Sequence, residues 1–482
     1  MRWTLALLLG ILVIVQIPQA KADPKHYLYQ KMLRARAAAQ GFTADGTNAP
    51  TVTFQTFQFI QILDHFSLSA SAANAQTFLQ RYFVDSTYAA GPNSPVILYL
   101  CGESVCDGPT TSALVNAEAK KYHAYRIAIE HRYYGLSQPF PTLTTDNLKC
   151  LSMEQALEDI ATIQKSLQSS MGLTGSWIVV GGSYSGELSA FYRLKHPELV
   201  IGSLASSAPV FSKADFFEYD QHTATVAPPA CLTAIQNVTK DVETKLLQTD
   251  SAAQVKALFQ ASGIENNVDF LYVVADMAAT AIQYGFKDEF CNALATPDAL
   301  ANPTAAFATE GLNVFQQLGT TPLADWVDGS VSLNPSDYET GTGMRAWLYQ
   351  SCTEFGYYQI ANPNLAESAR SQQITTAYHN DMCNRLFGIT TPVNTDKTNQ
   401  TFFDHLADKS VTNIFFTNGS DDPWSTLSLT GSSPTALANP ALKFFTMEGA
   451  SHCEDLARAT TDAIKSAHTK FDTMLGQWLG LN

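Results

Sequence analysis

The chain has 482 residues and a hydrophobic content of 45%, which is enough to bury a large core and argues against a globally disordered protein. Its length predicts one large domain that carries an insertion, or two domains. The net charge of −15 repels phosphate backbones, so nucleic acid is not expected as a partner.

The first 22 residues have the three parts of a signal peptide. Arg2 supplies a positive charge, residues 5–15 are almost wholly apolar, and residues 20–22 form an A-x-A cleavage signal. The apolar stretch is short for a membrane span. We therefore predict a signal peptide at 1–22, a propeptide or N-terminal arm at 23–50, and a mature protein without a membrane span in the secretory pathway, either lysosomal or extracellular.

Cysteines and glycosylation sequons agree with that compartment. The chain has eight cysteines and no C-x-x-C pair, which fits disulfides and gives no support for a zinc site, so neither a metal nor another cofactor is predicted. Which cysteines pair stays open. Asn237 and Asn399 begin sequons where we predict glycans, and Asn418 begins a third inside a motif described below. The cysteines are Cys101, Cys106, Cys150, Cys231, Cys291, Cys352, Cys383 and Cys453.

Short apolar segments alternate with helical ones in the first half of the chain. The apolar segments lie at 95–100, 125–129, 177–180 and 199–204, and residues 152–171 have helical spacing. Buried parallel strands have this appearance, with helices between them. The pattern predicts βαβ units and a doubly wound, mostly parallel sheet.

The second half of the chain begins with a different pattern. From about 216 to 400, apolar residues recur at helical spacing and four of the eight cysteines occur, which predicts a mostly helical insertion. Strand-like segments return at 411–417 and 442–447, and a last helix is predicted over 455–480. The predicted organisation is a core at 51–215 and 401–482 with a helical cap at 216–400 between its two parts.

The sharpest chemical signal is the sequence Gly-Gly-Ser-Tyr-Ser at 181–185, directly after an apolar segment. A strand, a tight turn flanked by small residues and a helix form the nucleophile elbow of an α/β-hydrolase, which presents a serine, here Ser183. The general pattern is G-x-S-x-G, and Ser185 occupies the last glycine position. Ser185 is the rival nucleophile, but its own flanking residues, Ser183 and Glu187, fit the pattern less well. A glycine-rich turn without catalysis is the alternative.

A serine hydroxyl needs a base, and α/β-hydrolases carry Ser, Asp and His in that chain order. Asp422 follows the predicted strand at 411–417, and His452 follows the one at 442–447. Loops beyond strand ends are where such a sheet has its active site. We therefore predict Ser183, Asp422 and His452 as a catalytic triad on an α/β-hydrolase core. The alternative for His452, one of ten histidines, is a surface position.

An oxyanion hole requires two backbone N–H donors. Tyr184, the residue after the nucleophile, is expected to supply one. Gly102 or Glu103, in the loop after the segment at 95–100, is expected to supply the other. An ordinary βα turn is the alternative for Gly102 and Glu103.

Several motifs along the chain resemble one known family. They occur from about residue 52 to the C-terminus and resemble the family of lysosomal prolyl carboxypeptidase, dipeptidyl peptidase II and thymus-specific serine protease. The motif that begins at Cys352 looks most like the thymus-specific branch. The motifs are Leu63-Asp-His-Phe66, Gln80-Arg-Tyr-Phe83, Glu130-His-Arg-Tyr-Tyr-Gly135, Gly181-Gly-Ser-Tyr184, Ala205-Ser-Ser-Ala-Pro209, Cys352-Thr-Glu-Phe-Gly356, Asn418-Gly419 and Asp422-Pro-Trp424.

The resemblance implies an acid-active serine exopeptidase that acts on peptides and prefers proline at the cleavage site. It implies the same triad, with Asp422 rather than Asp421, and a cap that admits peptide ends and excludes folded proteins. A homodimer is one option for the oligomeric state. Two alternatives remain, an esterase or lipase on the same fold and a non-catalytic hydrolase-like binding protein.

One departure from the family concerns the substrate pocket. Proline-specific relatives have a methionine four residues after the nucleophile, and this chain has Glu187 there, while Trp424 keeps the aromatic wall of the pocket. A carboxylate weakens a proline pocket and would admit a basic or polar residue, unless Glu187 turns toward an internal partner or solvent. Glu354 and Glu103 are candidates for binding a free N-terminus, with structural roles as the alternative.

Overall fold

The computed structural model describes residues 54–67, 75–322, 332–335 and 343–481. The predicted signal peptide at 1–22 and the predicted N-terminal arm lie outside the described residues. No helix within these ranges combines the length and the apolar character needed to cross a membrane.

An eight-stranded sheet runs through the described structure. Its strands are β1 (Gln55–Ile62), β2 (Thr77–Asp85), β3 (Val96–Leu100), β4 (Tyr125–Ile129), β5 (Trp177–Gly182), β6 (Gly202–Ser206), β7 (Ile414–Gly419) and β8 (Lys443–Met447). They lie side by side in the order β1-β2-β4-β3-β5-β6-β7-β8. β2 is antiparallel to β1 and β4, whereas β3 to β8 all run parallel.

Fifteen helices occur in the described ranges. They are α1 (Ala113–Lys121), α2 (Met153–Ser170), α3 (Tyr184–Lys195), α4 (Glu218–Val226), α5 (Pro229–Lys245), α6 (Thr249–Leu258), α7 (Asn267–Gln283), α8 (Lys287–Leu294), α9 (Pro297–Ala301), α10 (Pro303–Leu318), α11 (Met344–Gln350), α12 (Thr376–Phe387), α13 (Thr395–Thr401), α14 (Pro434–Ala438) and α15 (Asp462–Trp478).

Helices cover both faces of the sheet. Alternate residues of β3 belong to different hydrophobic cores, because successive side chains of a strand point to opposite faces. Val96 and Leu98 pack in a core with α2 and α3, while Ile97 and Tyr99 pack in a core with α1 and α15. A mostly parallel sheet buried on both faces in this strand order is an α/β-hydrolase core, so the predicted fold class is confirmed.

The sequence predicted six of the eight strands, missed β1 and β2, and placed some element ends differently. All six predicted strands occur as β3 to β8, and α2 begins after Ser152, whose hydroxyl accepts a hydrogen bond from the Gln155 N–H, as a helix cap does. β6 begins at Gly202, three residues later than predicted, because a turn with a Leu199 N–H to His196 carbonyl bond precedes it. The last helix is shorter than predicted and begins after Thr461.

The segment between β6 and β7 has a hydrophobic core of its own. It contains α4 to α13 and, among its described residues, no strand of the sheet. The buried members of this core all lie between Cys231 and Met382. A helical insertion produces such a core, and the domain bounds 51–215, 216–400 and 401–482 stay a prediction.

Three disulfides join six of the eight cysteines. Two of them, Cys231–Cys291 and Cys352–Cys383, lie within the insertion. The third, Cys101–Cys106, closes the loop after β3. Cys150 and Cys453 are free thiols.

A buried ion pair joins the antiparallel edge of the sheet to α2. Two N–H groups of the Arg132 guanidinium donate to the Asp159 carboxylate. Nε lies 2.7 Å from Oδ2, and Nη2 lies 2.6 Å from Oδ1. The same guanidinium donates to the carbonyls of Ile62, Leu63 and Cys150. Both partners are fully buried, so each depends on the other for charge neutralisation.

Replacing Asp159 by alanine should destabilise the protein by about 3–5 kcal/mol, because the Arg132 charge would stay buried without its counter-ion. Thermal unfolding followed by calorimetry would measure this as a lower Tm. Asp146→Ala is the matched control, since Asp146 forms an exposed pair with Lys149 and should leave the Tm unchanged. Equal Tm values for wild type and Asp159→Ala would contradict the prediction.

Candidate active site

Ser183 occupies a strained turn between β5 and α3. Its φ angle is +59°, in a region that non-glycine residues rarely adopt. The turn is fixed by two backbone bonds: the Ser183 N–H donates to the Ser206 carbonyl at 2.9 Å, and the Glu187 N–H donates to the Ser183 carbonyl at 3.0 Å. This is the strand–turn–helix geometry of a nucleophile elbow.

Small residues flank Ser183 because the strand and the helix pass very close to one another. A Cβ atom on Gly181 would lie 1.9 Å from the Ser185 carbonyl oxygen, and one on Gly186 would lie 2.7 Å from the Ser206 carbonyl oxygen. The Ser185 hydroxyl donates to the Gly182 carbonyl at 2.8 Å and accepts from its N–H at 3.1 Å. Ser185 therefore braces the turn, which explains why it can occupy the last glycine position of the pattern.

His452 and Asp422 are joined by a buried hydrogen bond. His452 Nδ1 lies 2.8 Å from Asp422 Oδ2, and Asp422 Oδ1 accepts the Trp424 N–H at 3.0 Å. The neighbouring Asp421 instead forms an ion pair with Lys287 at 2.6 Å. Of the two adjacent aspartates, Asp422 is therefore the one that bonds to His452. This bond uses Nδ1 of the imidazole and not Nε2.

Ser183 and His452 line the same cavity, which has a volume of about 40 Å³. The Tyr284 ring, from the insertion, packs edge-on against His452 with centroids 6.0 Å apart. Within the described ranges, no group of three or more His, Cys, Asp and Glu side chains is arranged to hold a metal ion. The other residues that line the cavity are Tyr99, Leu100, Cys101, Gly102, Glu103, Ser104, Gly182 and Ser185.

Two of the predicted oxyanion donors, Gly102 and Glu103, line this cavity. Tyr184 is the first residue of α3, where backbone N–H groups lack intrahelical partners and the helix dipole is positive. Gly102 lies so close to the same turn that a Cβ atom on it would be 3.4 Å from the Ser185 nitrogen. The Cys101–Cys106 disulfide holds this loop. The roles of Tyr184, Gly102 and Glu103 as donors stay a prediction.

A buried polar network that the sequence did not predict holds the Tyr184 side chain. His131 Nδ1 lies 2.7 Å from the Arg132 carbonyl and must carry the proton, so Nε2 accepts the Tyr184 hydroxyl at 3.0 Å. Gln350 Nε2 donates to the same hydroxyl oxygen at 2.9 Å. Burial lowers the pKa of His131 to about 4, and the ring therefore stays neutral. The motif at 130–135 contained this histidine, but nothing in the sequence linked it to Tyr184.

A second unpredicted residue, Asp455, joins the loop of His452 to the sheet. Its carboxylate accepts hydrogen bonds from the hydroxyls of Ser206 in β6 and Thr417 in β7. Ser206 is the residue whose carbonyl accepts the Ser183 N–H. Asp455 therefore fixes the position of the His452 loop relative to the turn that carries Ser183.

Of the three predicted pocket residues, Glu187 and Trp424 are buried and Glu354 is half-buried. The Trp424 ring packs against Phe216, Tyr219 and Tyr357, and its Nε1 donates to Gln283. Glu354 accepts the Met153 N–H with both oxygens, at 3.1 and 3.2 Å, and so caps α2. Burial raises the pKa of Glu354 to about 7. Its bonds give Glu354 a structural role, which was the alternative to binding a free N-terminus. Glu187 is fully buried one turn after Ser183.

The predicted glycosylation sites differ in their exposure to solvent. Asn237 is exposed on α5, and a glycan there stays a prediction. Asn399 is buried, with its amide donating to the Ser212 carbonyl at 2.8 Å and accepting the Ser212 N–H at 2.9 Å. A buried amide held by two bonds is a poor acceptor for a glycan, and a glycan on Asn399 stays a prediction. Asn418 is also buried and donates to the Leu429 carbonyl.

The environment of His452 favours its charged form. Burial alone would lower the pKa of His452, but the charge of Asp422, followed by that of Cys453, raises it well above the ordinary value of 6.5. A protonated imidazole cannot accept a proton. The groups around His452 therefore do not support the activity in acid that the family resemblance implies.

Comparison with known proteins identifies the family. The family model "Serine carboxypeptidase S28" matches residues 61–470, which is most of the chain. The chain belongs to the serine carboxypeptidase S28 family. It is therefore a serine peptidase, which confirms both the predicted family and the predicted class of enzyme.

Relatives in other organisms carry protease names. A probable serine protease of Arabidopsis thaliana is 38% identical, over 77% of this chain and 76% of its own length. The thymus-specific serine protease of Mus musculus is 30% identical, over 87% of this chain and 86% of its own. Among solved structures, a proline iminopeptidase of Mycobacterium smegmatis matches 83% of this chain and 96% of its own, with 12% identity and a TM-score of 0.38.

The pKa of His452 can be tested directly by titrating ¹⁵N-labelled histidines with NMR. We expect His452 to titrate above 6.5, and Asp422→Asn to lower its pKa because the neighbouring negative charge is lost. Asp421→Asn is the matched control and should leave the pKa of His452 unchanged, because Asp421 pairs with Lys287. Titration of His452 below 6.5 in the wild-type protein, or equal shifts in both variants, would contradict this account.

Proposed function

We propose that this S28 serine peptidase is an exopeptidase in which Ser183, His452 and Asp422 form the catalytic triad. One observation carries the proposal: Ser183 on its elbow and the Asp422-bonded His452 line the same cavity. The chain order Ser, Asp, His and the position beyond the ends of β5, β7 and β8 support it.

The proposed reaction is acyl transfer to serine. His452 Nε2 takes the Ser183 hydroxyl proton as the oxygen attacks the peptide carbonyl, and Asp422 stabilises the imidazolium that forms. His452 then gives the proton to the leaving amine, and the C–N bond breaks. Water attacks the acyl-enzyme with His452 again as the base, which releases the acid and restores Ser183.

The charge that develops on the carbonyl oxygen needs donors at the cavity. We propose the N–H of Tyr184, together with that of Gly102 or Glu103 in the disulfide-closed loop. Fixed donors in a site with little water stabilise the oxyanion without reorganising. The network around the Tyr184 hydroxyl would keep the start of α3 in place during the reaction.

The insertion supports cleavage near peptide ends. Residues from its α7 region reach the site: the Gln283 carbonyl accepts the His452 N–H at 2.9 Å, and Tyr284 lines the cavity. Such a cap narrows the approach to Ser183 and would favour peptide termini over folded proteins. A preference for proline rests on the family resemblance and on the aromatic wall at Trp424, whereas the buried carboxyl of Glu187 argues against it.

Further expectations concern the compartment, the oligomeric state and the type of bond that is cleaved. The three disulfides fit an oxidising compartment, but the signal peptide, the lysosomal or extracellular location and a homodimer stay predictions. An esterase on the same fold remains the alternative activity.

Digestion of a diverse peptide library, read by mass spectrometry at acidic and neutral pH, tests the proposal. We expect loss of single residues from the carboxyl end or of dipeptides from the amino end, because the cap restricts access to Ser183. Ser183→Ala should lower the rate by roughly 10⁴-fold or more, since the nucleophile is lost.

Three outcomes would contradict the proposal. Cuts in the middle of long peptides would exclude an exopeptidase while leaving a serine peptidase. Equal cleavage by wild type and Ser183→Ala would exclude Ser183 as the nucleophile. An untouched library together with cleavage of simple esters by wild type would favour the esterase.

A further inference from the structure

A closed ring of four hydrogen bonds runs through the aspartate and the histidine of the proposed triad. Trp424 Nε1 donates to the side-chain oxygen of Gln283 at 3.1 Å, and the Trp424 N–H donates to Asp422 Oδ1 at 3.0 Å. Asp422 Oδ2 lies 2.8 Å from His452 Nδ1. The His452 N–H donates to the Gln283 carbonyl at 2.9 Å and closes the ring. Each bond therefore restricts the residues on either side of it.

Gln283 is the member of the ring that comes from the helical insertion. It is the last residue of α7, where backbone carbonyls lack intrahelical partners, and its carbonyl is therefore available to the His452 N–H. The same position is the negative end of the helix dipole, which favours the positive charge that His452 acquires when it takes a proton. The next residue, Tyr284, packs its ring edge-on against His452. One helix end thus supports the base through its backbone and through the side chain that follows.

The Gln283 side chain is held in one orientation. Its Oε1 accepts a second hydrogen bond from the Tyr219 hydroxyl at 2.6 Å, so both lone pairs of this oxygen are used. Tyr219 packs edge-on against the Trp424 ring, with centroids 5.6 Å apart, and both rings are buried. Rotation of the buried amide would leave two donors unpaired, which costs free energy. Gln283 is therefore a rigid support for Trp424.

Two further contacts join the insertion to the loop that carries Asp422. Lys287 forms an ion pair with Asp421 at 2.6 Å, and His222 Nε2 lies 2.9 Å from the Ser420 carbonyl. Both contacts are made to residues that precede Asp422 in the loop. The bond from Gln283 to Trp424 is the one that leads to the Asp422 carboxylate, through the Trp424 N–H.

We propose that Gln283 is a positioning residue that sets the relative orientation of Asp422 and His452 by bonding to the loops of both. The insertion thereby supports catalysis directly, in addition to restricting access to Ser183. This inference rests on the proposed triad and adds to it the residue that holds its aspartate and histidine together. The effect is large enough to measure, because a displacement of about 1 Å in a catalytic group can lower the rate by about 100-fold.

The test compares wild type with Gln283→Met, which has a similar length and no acceptor oxygen, and with Gln283→Glu, which keeps that oxygen. Each cleaves a peptide identified in the library digestion, on the pH plateau above the pKa of His452. We expect Gln283→Met to lower kcat by about tenfold to 100-fold with KM nearly unchanged, because Asp422 and His452 shift while the substrate still binds. Gln283→Glu should keep most of kcat, since its side chain accepts both hydrogen bonds.

Two more measurements distinguish positioning from a loss of stability. Titration of ¹⁵N-labelled histidines should give a lower pKa for His452 in Gln283→Met than in wild type, because a displaced Asp422 stabilises the imidazolium less. Trp424→Phe removes the same hydrogen bond from its other end and should also lower kcat. The double variant should lose no more than the larger single loss, because both changes break one bond. Trp424→Phe also serves as the test where Gln283→Met folds poorly.

Gln164→Met is the matched control. Gln164 is another buried glutamine whose side-chain oxygen accepts a tyrosine hydroxyl, that of Tyr192 at 2.8 Å, while its amide donates to the Leu199 carbonyl. It lies on α2, outside the residues that line the cavity. Its variant should lower the Tm, and it should leave kcat and the pKa of His452 at their wild-type values.

Several outcomes would overturn the inference. One is a wild-type kcat and a wild-type pKa of His452 in Gln283→Met, or a loss of kcat no greater than that of Gln164→Met. Another is a loss in Gln283→Glu as large as that in Gln283→Met. A wild-type kcat in Trp424→Phe, or losses that add in the double variant, would show that the two residues do not act through one bond.

These outcomes leave the proposed triad in place as long as Ser183→Ala is inactive. Cleavage that survives Ser183→Ala would instead overturn the triad itself, whatever the Gln283 variants do.

Discussion

The hydrogen bonds of Asp455 hold the parts of the site together. Its carboxylate binds the hydroxyls at the ends of β6 and β7, and the carbonyl of Ser206 in β6 accepts the N–H of Ser183. The loop that carries His452 and the turn that carries Ser183 are thereby fixed to the same strand end. A base must lie within hydrogen-bond reach of its nucleophile, so this buried carboxylate is a precondition for the geometry proposed for catalysis.

The site concentrates features that cost stability. Ser183 has a positive φ angle, Glu187 is a fully buried acid, and the Asp422–His452 pair is buried. Elsewhere the sheet is regular, and its parallel strands are covered by helices on both faces. Enzymes usually combine a rigid scaffold with a strained and polar active site. Residues that cost stability occur there because they serve the function.

The sequence predicted the fold class and six of the eight strands, because buried parallel strands are short apolar segments, and it predicted the turn at Ser183, because the elbow motif has fixed spacing. It did not predict β1, since the most buried residue of that strand is Gln61, which bonds to Gln80 rather than packing in an apolar core. It also did not identify His131, Gln350 or Asp455, because partners far apart along the chain leave no local pattern. Burial, which disfavours a glycan at Asn399, is equally invisible in a sequon.

Mapping a fluorophosphonate adduct by mass spectrometry tests the central claim most directly, since the probe reacts with a serine only when a base activates it. The account predicts a single adduct on Ser183 and a much slower reaction in His452→Ala. An adduct on Ser185, or equal labelling of wild type and His452→Ala, would contradict the proposed triad.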